Sequence, residues 1–149
     1  MSAISERPLL KWIGGKADHA AAVLDVLPTD VASYHEPFLG GGSVLLEALS
    51  RIEAGRLRVA GGVYASDANE NLINFWTTVQ AEPARLLEEL APLVEEYRAH
   101  TEQDGMSAQY YRLRDRLRNG GGPPAAQAAV FLFINKTCSA ASTAKPRMV

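Results

Sequence analysis

The chain has 149 residues, of which 47% are hydrophobic and 21% charged, with a formal net charge of −2. This composition is that of a globular domain and excludes disorder of the whole chain, whereas the charge balance neither supports nor excludes a nucleic-acid partner, because a local basic stripe suffices for binding phosphates. The sequence has a single cysteine and no cluster of metal-ligand residues, so we expect a cytoplasmic protein with no structural metal. It has no run of about 18 apolar residues, so we expect no membrane partner.

The first predicted elements are a helix, a short strand and a second helix. Residues 17–27 are rich in Ala, Val and Leu and precede Pro28, where the first helix is expected to end. Residues 31–35 are predicted to form a strand that enters a turn. Ser43 is expected to cap the second helix, since its hydroxyl can accept a backbone hydrogen bond. The inward-facing positions of this helix are predicted to be Val44, Leu45, Leu46 and Leu49.

A further strand is predicted within residues 57–64, with its start expected after Gly62. Asp67 then stands at the carboxyl end of this strand, which is where open α/β sheets bind their ligands. Strand, glycine loop, helix and strand occur in the order of an open α/β sheet, so we predict the α/β fold class.

The second half of the chain is predicted to be mainly helical. A helical pattern begins at Asn71 and is interrupted at Glu82-Pro83, and a second apolar stripe is expected to kink or divide at Pro92. Residues 110–118 form the one basic segment, which ends at glycines and prolines. Residues 125–136 are too continuously apolar for periodicity to distinguish a helix from a buried strand.

The run Gly40-Gly41-Gly42 taken alone fits either an ordinary flexible turn or a backbone that turns sharply against a ligand, and its position between a strand and a helix favours the ligand. A phosphate-binding P-loop is poorly supported, because no Gly-Lys-Ser or Gly-Lys-Thr follows, and a dinucleotide fingerprint lacks its third glycine, whose position is Leu45. Two interpretations of Asp67 stay open. Its carboxylate either accepts hydrogen bonds from ribose hydroxyls or forms a capping box with Glu70.

Trp12 belongs to a dense cluster, Lys11-Trp12-Ile13-Gly14-Gly15-Lys16. A core tryptophan and two surface lysines explain each residue taken singly. Taken together, they suit a ligand instead: glycines let the backbone approach it closely, the flat aromatic ring suits an adenine and the cation suits a carboxylate. Arg112 and Arg116 share a helix face, which fits either a solvated helix surface or phosphate contacts.

Four motifs in one order resemble the Dam-type adenine-specific DNA methyltransferases. They are Lys11-Trp12-x-Gly-Gly-Lys16, Glu36-Pro-Phe-x-Gly-x-Gly42-Ser43, Ser66-Asp67-x-Asn69-x-x-Leu72-Ile73 and Phe131-Leu-x-x-Asn135-Lys136-Thr137-Cys138. The resemblance implies a Rossmann-like S-adenosylmethionine-dependent methyltransferase fold with a helical target-recognition insertion. It also implies S-adenosylmethionine as the cofactor and double-stranded DNA as the partner.

The resemblance also implies site residues and segments. The cofactor-binding positions are Trp12, Lys16, Glu36, Phe38, Gly40, Gly42 and Asp67. The DNA-binding positions are Lys11, Arg112, Arg116 and Asn135. Residues 1–80 would form the cofactor-binding part, 81–124 the target-recognition segment, 125–138 a return to the methyltransferase domain and 139–149 an atypical tail.

The Asp-Pro-Pro-Tyr motif that carries catalysis in this family occurs nowhere in the sequence. That motif holds the flipped adenine in a reactive geometry, so we predict an incomplete fold, no catalytic residue and cofactor affinity without useful turnover. After Cys138 the family pattern gives way to Ser-Ala-Ala-Ser-Thr-Ala. Losing one T from the codons TTC CGC GGC CTC TAC CGC G produces that string, so a reading-frame shift is one hypothesis.

The competing hypotheses for the tail are a domain cut and a split enzyme whose separate C-terminal half supplies catalysis. For the chain as a whole, the alternatives to a truncated adenine methyltransferase are a non-catalytic cofactor- or DNA-binding remnant and, less favoured, an NAD-binding oxidoreductase domain.

Overall fold

Parallel strand pairing organises the first of the two units into which the chain divides, Met1–Ala68 and Asn69–Val149. The computed structural model describes residues 9–12 and 17–141. The elements of the first unit are a 3₁₀ turn Ala17–His19, α1 Ala20–Asp25, β1 Asp30–Val31, β2 Tyr34–Glu36, α2 Ser43–Glu53, β3 Arg58–Val59 and β4 Val63–Ala65. β1 pairs with β3 and β2 with β4, both in parallel. This mixture of helices and parallel strands agrees with the predicted α/β class.

A bulge separates the two strand pairs. Asp30 pairs with Arg58, and Tyr34 pairs with Val63. From the first pair to the second, the chain advances four residues on one side, from Asp30 to Tyr34, and five on the other, from Arg58 to Val63. The later strand therefore carries one extra residue, which is the defining feature of a β-bulge.

Glycine at position 61 makes this bulge possible. The N–H of Gly61 donates to the carbonyl oxygen of Ala32 at 2.7 Å, and a Cβ on Gly61 would lie 2.7 Å from the same oxygen. Any side chain would therefore collide with the neighbouring strand. The prediction of one unbroken strand over 31–35 is wrong, because the bulge divides this segment into β1 and β2. The predicted strand start after Gly62 is confirmed, since β4 begins at Val63, and the short strand β3 precedes it on the other side of the bulge.

The core of the first unit lies between its two helices and its strands. Its buried members are Leu24, Tyr34, Ala48 and Leu57, with Val44 and Leu45 packed against them. Leu46 is half-buried, but Leu49 is 43% exposed, so its predicted inward orientation is wrong. The buried stripe of α2 follows Leu45, Ala48 and Ile52, and Leu49 lies about 100° from Ala48 around the helix.

Four helices build the second unit: α3 Glu70–Ala81, α4 Pro83–Ala99, α5 Gln103–Arg118 and α6 Pro124–Ala141. Helix α6 packs against each of the other three. Its buried residues are Ala125, Ala126, Ala128, Ala129, Val130 and Phe133. A helix enclosed on several sides is apolar nearly all round, which is why periodicity alone did not distinguish helix from strand over 125–136.

Helix α4 runs through Pro92 without a break, so the predicted division there does not occur. Proline cannot donate to the carbonyl of the residue four positions earlier, which is Glu88. Both residues are exposed, so water can satisfy that carbonyl. The predicted boundary at Glu82-Pro83 is confirmed, since α3 ends at Ala81 and α4 begins at Pro83.

Helix α6 continues past Cys138 to Ala141, and residues 142–149 of the predicted tail lie outside the described residues. The functional division at residues 80, 124 and 138 stays a prediction. None of the helices in the described part of the chain is long and apolar enough to cross a membrane.

Candidate functional site

A hydrogen bond joins the glycine loop to Asp67. The N–H of Gly40 donates to Asp67 Oδ2 at 3.0 Å across 27 positions of sequence. Parallel pairing places the carboxyl ends of β2 and β4 side by side, since Glu36 pairs with Ala65. The loop follows the first of these ends and Asp67 the second, so the two motifs meet at one edge of the strand pair.

The alternative role of Asp67 as a helix cap is wrong. The N-cap of α3 is Asn69, whose side-chain oxygen accepts a hydrogen bond from the N–H of Leu72 at 3.1 Å. The capping box of Asp67 with Glu70 is not formed, because Asp67 is half-buried with its carboxylate on the glycine loop.

Trp12 lies against the same loop. A Cβ on Gly40 would come within 3.0 Å of both Cδ1 and Nε1 of the indole, and a Cβ on Gly41 within 3.0 Å of Trp12 Cβ. Carbon atoms in favourable contact lie about 3.5–4.0 Å apart, so side chains at these positions would displace the ring. The motif that contains Trp12 therefore contacts the glycine loop. Because glycine has no side chain, the loop leaves room for the half-buried indole.

Helix α2 begins where the loop ends. Its N-cap is Gly42 at φ +73°, and Ser43 is its first residue, with no side-chain capping bond, so the predicted cap by Ser43 is wrong. Gly40, at φ +50°, also adopts a left-handed conformation, which glycine reaches without the steric cost of a Cβ. The first N–H groups of a helix have no acceptor within the helix, so the loop ends in donors suited to an oxygen-bearing ligand.

Glu36 and Phe38 differ in their surroundings. Glu36 Oε2 accepts a hydrogen bond from the Tyr34 hydroxyl at 2.9 Å. Burial, followed by the hydrogen bond and the negative charge of Glu36, raises the pKa of Tyr34 far above its usual range, so this hydroxyl remains a donor. Phe38 is 88% exposed, whereas Leu39 is buried and its N–H donates to the carbonyl of Ser66 at 3.0 Å.

Of the two lysines in the first motif, Lys11 is exposed and Lys16 lies outside the described residues. No group of three or more His, Cys, Asp or Glu side chains able to hold a metal ion occurs in the described ranges 9–12 and 17–141.

The predicted DNA-binding residues of the second unit lie on α5 and α6. Arg112 Nη2 contacts both carboxylate oxygens of Glu96, at 2.6 and 2.8 Å, and so ties α5 to α4. Arg116 is exposed, and a Cβ on Gly122 would lie 3.2 Å from its Nη2, so its guanidinium runs beside the glycine turn after α5. Asn135 is half-buried on α6, and its carbonyl accepts a hydrogen bond from the Cys138 thiol at 3.3 Å.

Sequence reasoning missed two features of this region. It did not pair Tyr34 with Glu36, although two residues apart on a strand share one face. It considered Asp67 as a possible cap of α3 but not Asn69, which also stands three residues before an apolar helical position. It did place the indole of Trp12 and the glycine loop in one cofactor site, and in the structure the ring lies against Gly40 and Gly41.

The family model for D12 class N6 adenine-specific DNA methyltransferases matches residues 12–146 of this chain. The chain belongs to this family. The match spans Trp12, the glycine loop, Asp67 and all four helices of the second unit. The resemblance to Dam-type adenine methyltransferases is thereby confirmed, and enzymes of this family generally take their methyl group from S-adenosylmethionine.

Relatives of this D12-class chain have names that agree with the family. The Type II methyltransferase M.MjaIII of Methanocaldococcus jannaschii is 33% identical over 139 residues, which cover 89% of this chain and 46% of the relative. The DNA N-6-adenine-methyltransferase of Escherichia phage P1 is 29% identical over 133 residues, covering 89% and 15%. The Type II methyltransferase M1.LlaDCHI of Lactococcus lactis subsp. cremoris is 26% identical over 117 residues, covering 78% and 35%. The chain thus spans less than half the length of each of these relatives.

Proposed function

We propose that this chain binds S-adenosylmethionine at its glycine loop and forms part of a DNA methyltransferase that modifies the exocyclic amine of adenine in double-stranded DNA. The observation that carries the proposal is the 3.0 Å hydrogen bond from Gly40 N to Asp67 Oδ2. It brings two of the four motifs into one site, next to a third motif through Trp12. The proposal includes a Rossmann-like fold and location in the compartment that holds the DNA.

The chemistry of the site fits this cofactor. A carboxylate at the end of a strand accepts hydrogen bonds from ribose hydroxyls, which is the role proposed for Asp67. The flat indole of Trp12 and the open backbone of Gly40 and Gly42 suit a ligand with an aromatic base and an extended chain. Glu36, Phe38 and Lys16 complete the proposed set. When bound, S-adenosylmethionine supplies a methyl group activated by its sulfonium.

Methyl transfer needs groups that the 149 residues do not include. The target adenine must leave the base stack and be held so that its amine meets the methyl group. The Asp-Pro-Pro-Tyr motif that does this in the family is absent from the sequence. We therefore propose that these 149 residues bind the cofactor but transfer no methyl group by themselves, and that a second polypeptide or further residues supply catalysis.

Calorimetric titration of the 149-residue chain with S-adenosylmethionine tests cofactor binding, and a methyl-transfer assay on duplex DNA tests turnover. Binding without transfer supports the proposal. Transfer by these residues alone would contradict the catalytic argument. Binding of NAD in place of S-adenosylmethionine would instead support an oxidoreductase domain.

Two substitutions of Asp67 separate a direct ribose contact from support of the loop. In Asp67→Asn the amide oxygen can still accept from Gly40 N–H, but an amide NH2 donor replaces one carboxylate oxygen acceptor. In Asp67→Ala both functions are lost. Loss of a hydrogen bond to a charged group costs about 1.5–3 kcal/mol, so both variants should bind S-adenosylmethionine about ten to a hundredfold more weakly, and only the Ala variant should also unfold more easily.

The matched control is Asp30→Asn, because Asp30 is an exposed carboxylate of the same unit whose ion pair with Arg58 contributes little to stability. Its affinity for S-adenosylmethionine should equal that of the wild type. If Asp67→Asn also keeps wild-type affinity, Asp67 acts only by holding the loop, and the proposed ribose contact is wrong.

A further inference from the structure

One face of α5 combines an aromatic ring with positive charge. Tyr111, Arg114 and Arg118 are spaced i, i+3 and i+7, so their side chains leave the helix in neighbouring directions; we call this surface the Tyr111 face. The core-facing residues Gln109 and Leu113, at 2% and 0% exposure, lie on the opposite side of the helix. Tyr111 itself is 45% exposed.

The Tyr111 ring is held by its neighbours. The Arg114 guanidinium carbon lies 4.9 Å from the ring centroid, and the Tyr110 ring meets Tyr111 edge-on at 5.4 Å. A guanidinium over an aromatic face is attracted by the ring's quadrupole. A large ring kept in place while nearly half exposed loses little conformational freedom when another flat group stacks on it.

The charges on α5 fall into two groups. Arg112 is neutralised by Glu96, and Arg114 contacts Asp115 at 3.2 Å. Arg116 and Arg118 are exposed and have no acidic partner within the described residues. An exposed, unpaired guanidinium is well suited to a phosphate, so Arg118 supplies the available cation of the Tyr111 face.

We propose that the Tyr111 face binds DNA at a disturbed base step, with the Tyr111 ring stacked on a base and Arg118 against a phosphate; the choice of DNA as partner rests on the proposed function. An intact duplex offers no exposed base face to an aromatic ring. Removal of an adenine from the stack, which the proposed reaction requires, creates one. Base–aromatic stacking is worth about 1–3 kcal/mol per base, so it can discriminate a disturbed duplex from an intact one. Arg112, occupied by Glu96, is in this view a tie between helices and not a phosphate contact.

The test uses fluorescence anisotropy of the 149-residue chain with two labelled duplexes, one intact and one of the same sequence with a single abasic site. The wild type should prefer the abasic duplex. Tyr111→Leu should remove this preference, lowering affinity for the abasic duplex about tenfold or more, whereas Tyr111→Phe should keep it within about twofold. Each variant's melting temperature establishes that it is folded.

Arg118→Gln should weaken binding to both duplexes and reduce the slope of log Kobs against log salt concentration by about one, as expected for one lost phosphate contact. The control Arg98→Gln, which removes an exposed arginine from α4 near the other end of α5, should leave affinity and slope unchanged.

Equal affinity for the two duplexes, or an unchanged preference in Tyr111→Leu, would overturn the proposal. Competition by heparin together with no preference for the abasic duplex would identify a general polyanion surface and also overturn it. Binding of S-adenosylmethionine is measured on the same variants. If the chain binds the cofactor but α5 variants have no effect on DNA, only the Tyr111 face is wrong; if it binds DNA as expected but not the cofactor, the proposed cofactor site fails.

Discussion

Replacing Gly40 by alanine tests the contact between the glycine loop and Trp12. Gly40 adopts φ +50°, and an added Cβ would lie 3.0 Å from two atoms of the indole. The left-handed conformation costs an alanine about 1–2 kcal/mol. Displacing a packed ring costs about 1–3 kcal/mol more. We expect Gly40→Ala to lower the free energy of unfolding of the first unit by about 2–5 kcal/mol, and to weaken binding of S-adenosylmethionine.

Gly55→Ala is the matched control. Gly55 has φ +68°, similar to Gly40, but a Cβ there would have no atom within 4 Å. This variant pays the conformational cost alone, so the difference between the two variants isolates the steric contact at about 1–3 kcal/mol. Combining Gly40→Ala with Trp12→Ala removes the obstacle, and the extra cost should then disappear.

Urea unfolding measures these differences, followed by circular dichroism for the variants that lack Trp12 and by tryptophan fluorescence for the others. The chain has two tryptophans, so a Trp76→Phe background leaves Trp12 as the reporter of the first unit. Gly40→Ala should also change the emission of Trp12 in the folded state, because the ring must move. Equal destabilisation by Gly40→Ala and Gly55→Ala, or an extra cost that persists without the indole, would refute the proposed packing.

Two further predictions concern local hydrogen bonds. Because the folded-state pKa of Tyr34 is raised, its neutral hydroxyl contributes stability that is fully present below about pH 10, the pKa of an unfolded tyrosine, and is lost as the pH rises further. The difference in unfolding free energy between the wild type and Tyr34→Phe should therefore shrink above pH 10, by up to about 1.4 kcal/mol per pH unit, in urea unfolding at several pH values; a constant difference would contradict the shift. Asn69→Ala should lower the stability of α3 by about 1 kcal/mol in thermal unfolding, with most of the loss restored in Asn69→Ser; equal melting of all three proteins would show that the cap contributes nothing.

Features that depend on neighbouring residues could be predicted from the sequence. The helix boundary at Glu82-Pro83 follows from the fixed φ and missing N–H of proline, and the position of Asp67 after a strand follows from alternation and turn residues. The four motifs also identify the family from the sequence alone, and the family match confirms this.

Other features depend on residues far apart in sequence. The partner of Asp67 is Gly40 because parallel pairing aligns the ends of β2 and β4, and no local pattern distinguishes this from a helix cap. In the same way, the ion-pair partner of Arg112 on α5 is Glu96 on α4, and the apolar surface of α6 packs against three other helices.

The sequence by itself thus determined the family, the glycine loop, the acidic residue after the strand that follows Gly62, and the helix boundary at Glu82-Pro83. Only the tertiary structure decided the bulge at Gly61, the cap at Gly42 and the partners of Asp67 and Arg112. The physical reason is the distance along the sequence over which each interaction acts. Backbone sterics, turn chemistry and periodicity act over a few residues, whereas strand register and helix packing choose partners across the whole chain.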